Sequence, residues 1–174
     1  MVKNLLISCG AALTMTACSF SIGGGLDYQK LEDEITKELD TSYSSIGRQV
    51  SSLECPEQSP SPKKGDTLEC TADVGGQTVR VAATIKDDDY NVDFETKDTL
   101  YDLPSVAQTL AGEVSDKLGF EVTVDCGDGL KAVEVGATFD CVAADPEGET
   151  RTLQVTAAPV GESDSWELLE EPEE

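Results

Sequence analysis

Apolar residues recur at helical spacing in two stretches of the chain. Leu31, Ile35 and Leu39 stand at i, i+4 and i+8. Val106, Leu110, Val114 and Leu118 repeat every fourth position, joined by Ala107 and Ala111. Each set forms a stripe along one side of a 3.6-residue helix, and both stretches are expected to be amphipathic helices. Pro104 suits the first turn of the second helix and Gly119 its C-terminal cap. Elsewhere the period shortens to two. Strand-like segments cover 48–54, 67–74, 78–85 and 90–95 after the first helix. After the second they cover 120–125, 138–144, 150–157 and 165–169. Turns are marked by Gly75-Gly76, Asp87-Asp88-Asp89, Pro146-Glu147-Gly148 and Gly161-Glu162.

The two halves share more than an order of elements. Cys55 and Cys70 lie 15 positions apart, as do Cys126 and Cys141, and the second pair follows the first by 71. Gly65 and Gly136 each stand five places before the later Cys of their pair. Gly65-Asp66-Thr67-Leu68-Glu69-Cys70 therefore overlays Gly136-Ala137-Thr138-Phe139-Asp140-Cys141. Spacing and residue type agree together, which is the mark of a duplication. Unit one runs from 26 to 98 and unit two from 99 to 171, with 172–174 left as an acidic tail. The expected fold is α+β: two tandem small domains, each one N-terminal helix packed on a four-stranded antiparallel sheet. Leu39, Leu68, Val79, Val81 and Phe94 are the expected core of unit one. Val114, Phe139, Leu153, Val155 and Trp166 or Leu168 are their counterparts in unit two.

The N-terminus has a different pattern. Met1-Val2-Lys3 gives a short positive start, and an apolar stretch follows from Leu5 to about Ala17. A bilayer-spanning helix needs about 20 apolar residues, so the stretch fits the apolar region of a signal peptide instead. It ends Met15-Thr16-Ala17-Cys18, which resembles the lipobox of bacterial lipoproteins. That resemblance implies cleavage after residue 17 and a diacylglycerol thioether on Cys18. A rival at Leu6-Ile7-Ser8-Cys9 leaves too few apolar residues ahead of the cut. The plainer alternative is an ordinary signal peptide cut after Ala17, with Cys18 a free thiol. Ser19 to Gly25 ends in three glycines and reads as a flexible tether. The expected location is exported, at the outer face of the cytoplasmic membrane, held by lipid.

Charge narrows the functions. The 174 residues carry 12 Lys+Arg, 35 Asp+Glu and no His, a formal charge of -23. Nucleic-acid binding requires the opposite sign. Nucleophile pairs and zinc sites that depend on His are excluded. An anionic membrane surface would repel such a chain, so lipid and not charge must hold it there.

An exported chain meets an oxidising compartment, where even cysteine numbers read as disulfides. Four cysteines allow three pairings, and the repeat selects Cys55–Cys70 and Cys126–Cys141, with Cα atoms about 5.5–6 Å apart. Each closes a loop worth about 3 kcal/mol in the chain-entropy model. The alternatives are reduced thiols and metal ligation. There is no Cys-x-x-Cys, and neither a metal nor a cofactor is expected.

These residues together resemble the DUF4333 family of actinobacterial exported proteins and lipoproteins. The likeness is carried by a helix, Cys55-Pro56, Gly65-x-Thr-x-x-Cys70 and Gly76-Gln77-Thr78-Val79-Arg80-Val81. In unit two it is carried by Cys126, Gly136-Ala137-Thr138-Phe139-Asp140-Cys141 and Gly148-Glu149-Thr150. Unit two departs from the pattern with Gly127 in place of Pro. The resemblance implies two tandem copies, an envelope location and the cysteine framework. It carries over no catalytic residue.

Three functions compete. The leading expectation is a non-catalytic lipoprotein that binds an envelope protein or cell-wall component. The others are a carboxylate-based cell-wall hydrolase and an acidic cation-binding protein. A hydrolase needs a desolvated carboxylate pair in a cleft. A cation binder needs acids converging on one point. A partner-binding protein needs an exposed apolar patch. Asp87-Asp88-Asp89-Tyr90-Asn91-Val92-Asp93 faintly resembles the start of a calcium loop, but Val92 occupies the position that needs Gly, so a solvated hairpin turn is expected. Trp166 and Leu168 read as one face of a final strand, and the acids beyond them as a solubilising end.

Overall fold

A computed structural model describes residues 26–169. The fold is α+β, with two helices and antiparallel sheets. Helix α1 (Tyr28–Tyr43) begins at Asp27, whose side chain accepts from the Lys30 amide. Helix α2 (Leu103–Leu118) begins at Asp102, whose side chain accepts from the Ser105 amide. In each case the carboxylate satisfies an amide that the first helical turn leaves open. Pro104 occupies the first turn of α2, and Gly119 closes its end with φ +79, where a left-handed residue is needed.

Ten strands are spread along the described residues: β1 (Val50–Glu54), β2 (Thr67–Val74), β3 (Gln77–Ile85), β4 (Val92–Thr96), β5 (Asp98–Asp102), β6 (Thr123–Asp125), β7 (Leu130–Glu134), β8 (Thr138–Ala144), β9 (Thr150–Thr156) and β10 (Ser165–Leu168). They form a sheet of order β1-β2-β3-β4, a second of order β6-β8-β9-β10, and the isolated pair β5-β7. All pairings are antiparallel.

Alternation along the strands sends one face of each sheet inward. In β2 and β3 the buried positions are Leu68, Cys70, Ala72, Val74, Val79, Val81, Ala83 and Ile85, which meet Leu31, Ile35, Leu39 and Tyr43 of α1 in one core. In β8 and β9, Phe139, Cys141, Ala143, Leu153 and Val155 meet Leu110 and Val114 of α2 in another. Nearly all the expected core residues are there. Phe94, Trp166 and Leu168 are only half-buried, because each lies on an outermost strand and packs against the core from one side.

Matched backbone bonds tie the loop before each second strand to the end of the third. The Gly65 amide donates to Ile85 O at 2.8 Å, and Gly136 to Ala157 O at 2.8 Å. Both glycines have positive φ, +91 and +85, which a side chain would make strained.

Three sequence expectations need correction. Leu118 is not in the core stripe: it is 42% exposed, because it ends α2 beyond the sheet that covers Val114. The strand pairings of the two halves correspond in a different register from the one the sequence suggested. Cys70 pairs with Val81 and Cys141 with Leu153, so Val81 matches Leu153 and Val79 matches Arg151. Of the two counterparts expected for Phe94, Trp166 is the one that matches, since Phe94 pairs with Ala83 and Trp166 with Val155. The third correction is that 98–102 and 130–134, outside the expected strand segments, form β5 and β7.

Candidate functional site

The cysteines sit where the first strand of each sheet runs out. Glu54 pairs with Thr71 and Asp125 with Val142. The next residues, Cys55 and Cys126, are therefore opposite Cys70 and Cys141. Both disulfides form, Cys55–Cys70 and Cys126–Cys141, each with Cα atoms 4.2 Å apart. That is closer than the sequence-based 5.5–6 Å, because the cysteines are directly opposed neighbours on paired strands, where backbones approach to about 4.5 Å. Cys18, the expected lipidation site, lies outside the described residues, as do Cys9 and the tail 172–174.

The pair β5-β7 lies between the two cores and faces both. Leu100, Leu130 and Ala132 pack into the first. Tyr101 and Val133 pack into the second. Gln77 Oε1 accepts from the Ala132 amide at 3.4 Å. A Cβ on Gly75 would come within 2.7 Å of Leu130 Cδ1, so the β2-β3 turn must present bare backbone there. Gly75 also has φ +61, a second reason for glycine.

An ion pair clamps the same junction. Asp98 Oδ1 accepts from Arg80 Nη2 at 2.6 Å, and Oδ2 accepts from Arg80 Nε at 2.9 Å and from the Arg80 amide at 2.8 Å. Glu134 of β7 lies 3.3 Å from the same guanidinium. The Asp98 side chain is 7% exposed and that of Arg80 is 32%. Hydrogen bonds from Arg80 hold the Asp98 carboxyl below its usual range, against the opposing effect of burial. Tyr43 ends α1 nearby; its buried hydroxyl lacks a hydrogen-bond partner, and burial with the Asp98 charge pushes its pKa up to about 12.

At the far end of the second core lies an open pocket of about 190 Å³. Its floor is Val114, Val122 and Ala143, its walls include Leu118, Phe120 and Leu168, and its rim carries Asp145, Glu149 and Arg151. Leu118 and Phe120 are 42% and 46% exposed. Two large apolar side chains thus stand in solvent beside an apolar hollow. Trp166 lies on the same strand as Leu168, and its Nε1 donates to Glu113 of α2 at 2.8 Å. The sequence reading missed this site because it read Leu118 only as the last member of the helix's apolar stripe. Aligning Gly76-Gln77-Thr78 with Gly148-Glu149-Thr150, one residue beyond the cysteine register, puts Arg151 at the place of buried Val79, a signal that this end of the second core differs.

A larger groove of about 650 Å³ lies along β4 beside α1, lined by Ser42, Tyr43, Lys86, Asp93, Lys97 and Val160 among others. Lys86 and Asp93 are paired across it at 2.7 Å. The Asp87 segment is a turn: its carboxylate accepts from the Asp89 and Asn91 amides and from Asn91 Nδ2. Among the described residues, no group of three or more His, Cys, Asp or Glu is placed to hold a metal ion. No described helix is long and apolar enough to cross a membrane.

The model of the family described as "Domain of unknown function (DUF4333)" matches residues 13–89. Within the described residues that span holds α1, β1, β2, β3 and the Cys55–Cys70 bridge. One copy is matched, in the first half. No curated protein and no solved structure matches the chain.

Proposed function

We propose that the chain is an exported lipoprotein, anchored through Cys18 at the outer face of the cytoplasmic membrane, and that it binds an envelope protein or cell-wall component without catalysing a reaction. On this reading residues 1–17 are a signal peptide and 18–25 a lipidated tether. Residues 26–98 and 99–171 are then two tandem copies of one DUF4333-like module. The matched sheet orders, helix caps, Gly65 and Gly136 bonds and disulfides support the duplication. The disulfides also suit an oxidising compartment.

The observation that carries the binding role is the apolar pocket at the end of the second core, with Leu118 and Phe120 held in solvent beside it. Exposed apolar surface of this kind, rimmed by charge, is a usual mark of an interaction site. Asp98, the most buried carboxylate among the described residues, is spent on Arg80 and serves the junction.

The test is crosslinking in intact cells with the lipidated chain, followed by affinity recovery. A binding protein yields a defined adduct that Leu118→Ser with Phe120→Ser diminishes. Hydrolysis of purified cell wall by the oxidised chain would contradict the non-catalytic reading. Anchoring is tested separately: the exported protein should partition into detergent, and Cys18→Ser should abolish this. A Cys18→Ser protein found wholly in the membrane fraction would show that the apolar segment itself is the anchor.

A further inference from the structure

The end of the first core shows what kind of surface fits the end of the second. Tyr43 and Leu118 are the last residues of equal 16-residue helices. Ala72 pairs with Val79 and Ala143 with Arg151; Asp73 pairs with Thr78 and Ala144 with Thr150. The pocket residues Leu118, Ala143, Asp145, Glu149 and Arg151 therefore correspond to Tyr43, Ala72, Val74, Gln77 and Val79. In the first half this end is covered. The extended pair β5-β7 lays Leu100, Leu130 and Ala132 against it, with Leu130 and Ala132 two apart on one strand. In the second half the equivalent end is covered by none of the described residues, and Leu118 and Phe120 stand exposed.

We propose that this pocket binds an extended segment of an exported partner protein, with aliphatic side chains at alternate positions and basic residues on its flanks. The inference rests on the reading of the chain as a binding protein made of two related modules. Alternate aliphatic residues on an extended backbone are what the corresponding surface already accepts from β7. The volume, about 190 Å³, is below the roughly 300–1,000 Å³ of small-molecule sites and suits individual side chains. Charge sets the flanks. Asp145 and Glu149 face one cation, Arg151, at the rim. The rim is therefore net negative and favours a cationic partner.

The test uses the exported, oxidised full chain and a dye-labelled synthetic peptide, Lys-Lys-Leu-Thr-Leu-Thr-Leu-Lys-Lys. Binding is read by fluorescence polarisation. Trp166, the single Trp, touches α2 through Glu113 and Lys117 and reports locally by its emission. The peptide should bind saturably and shift that emission. Leu118→Ser with Phe120→Ser should weaken binding about tenfold or more. Val142→Ser, at a residue 51% exposed on β8 and outside the pocket lining, should leave it unchanged. A peptide with serine for the three leucines keeps its charge and should not bind. Equal binding of the serine peptide would reduce the effect to net charge and overturn the proposal. Binding that ignores the Leu118 and Phe120 changes, or leaves Trp166 unmoved, would overturn the placement while the binding role stands. Saturation by decanoate but not by the peptide would assign the pocket to an acyl chain and overturn it. Failure of every probe would also overturn it, and the crosslinking in intact cells then decides the binding role by itself.

Discussion

Individual side chains divide into those that hold the fold and those offered to solvent. Leu153 is fully buried at the centre of the second core. Leu153→Ala should lower unfolding free energy by about 2–5 kcal/mol, read from urea denaturation. Leu118→Ser, at a half-exposed helix end, should cost no more than about 0.5 kcal/mol, and a loss as large as that of Leu153 would place Leu118 inside after all. Asp98 adds a pH dependence. Arg80 holds its folded pKa below the ordinary carboxylate value, so its contribution is present above about pH 4 and is lost as pH falls through the depressed folded value. Asp98→Asn should cost about 1–3 kcal/mol at pH 7. That is less than the removal of one partner of a fully buried pair, because Arg80 is partly solvated. The gap between wild type and variant should narrow on acidification below pH 4, and a gap that stays constant would remove the ion pair as its cause. Most core side chains were legible from period two alone: Leu68, Val79, Val81, Phe139, Leu153 and Val155 are all buried. Leu118 was not, because a helical stripe shows which side of a helix is apolar, not where the covering sheet stops.

Among the elements, both helices and eight of the strands arise from local patterning, and β5 and β7 do not. Leu100 and Tyr101 are adjacent, and both are buried, because the two faces of β5 enter different cores. A strand buried on both faces loses the alternation by which strands are read. β7 falls between Cys126 and Gly136, an interval that in the first half is the Pro-rich stretch 56–64, so the repeat itself held no hint of a strand there. The disulfides were legible because their spacing repeats, and their short Cα separation comes from the register. Replacing Cys126 and Cys141 by Ser should cost about 3 kcal/mol, seen as a lower thermal midpoint. Reducing agent breaks both bridges and should destabilise wild type by more than this, while the Cys126→Ser, Cys141→Ser protein should be sensitive only through Cys55–Cys70. Peptide mapping without reduction should recover only links within each half, and a Cys55–Cys126 link would break the tandem reading.

For the molecule as a whole, the two cores are joined by a strand pair that belongs to both. The first core is completed by β5 and β7, which come later in the chain, and the second ends in an open apolar pocket under an acidic rim. The chain's charge of -23 keeps such a surface soluble and repels anionic partners. Position in the sequence therefore gives the halves different surroundings: one is closed by its neighbour, the other ends in the open pocket that the proposed partner would fill. The most direct measurement is site-specific photo-crosslinking of the lipidated chain in intact cells, with the reactive group at position 120, 142 or 42 in turn. The account predicts a defined adduct from position 120 and none from 142, on the outer face of β8, or from 42, beside the groove along β4. Equal labelling from all three positions, or an adduct from 42 alone, would contradict it.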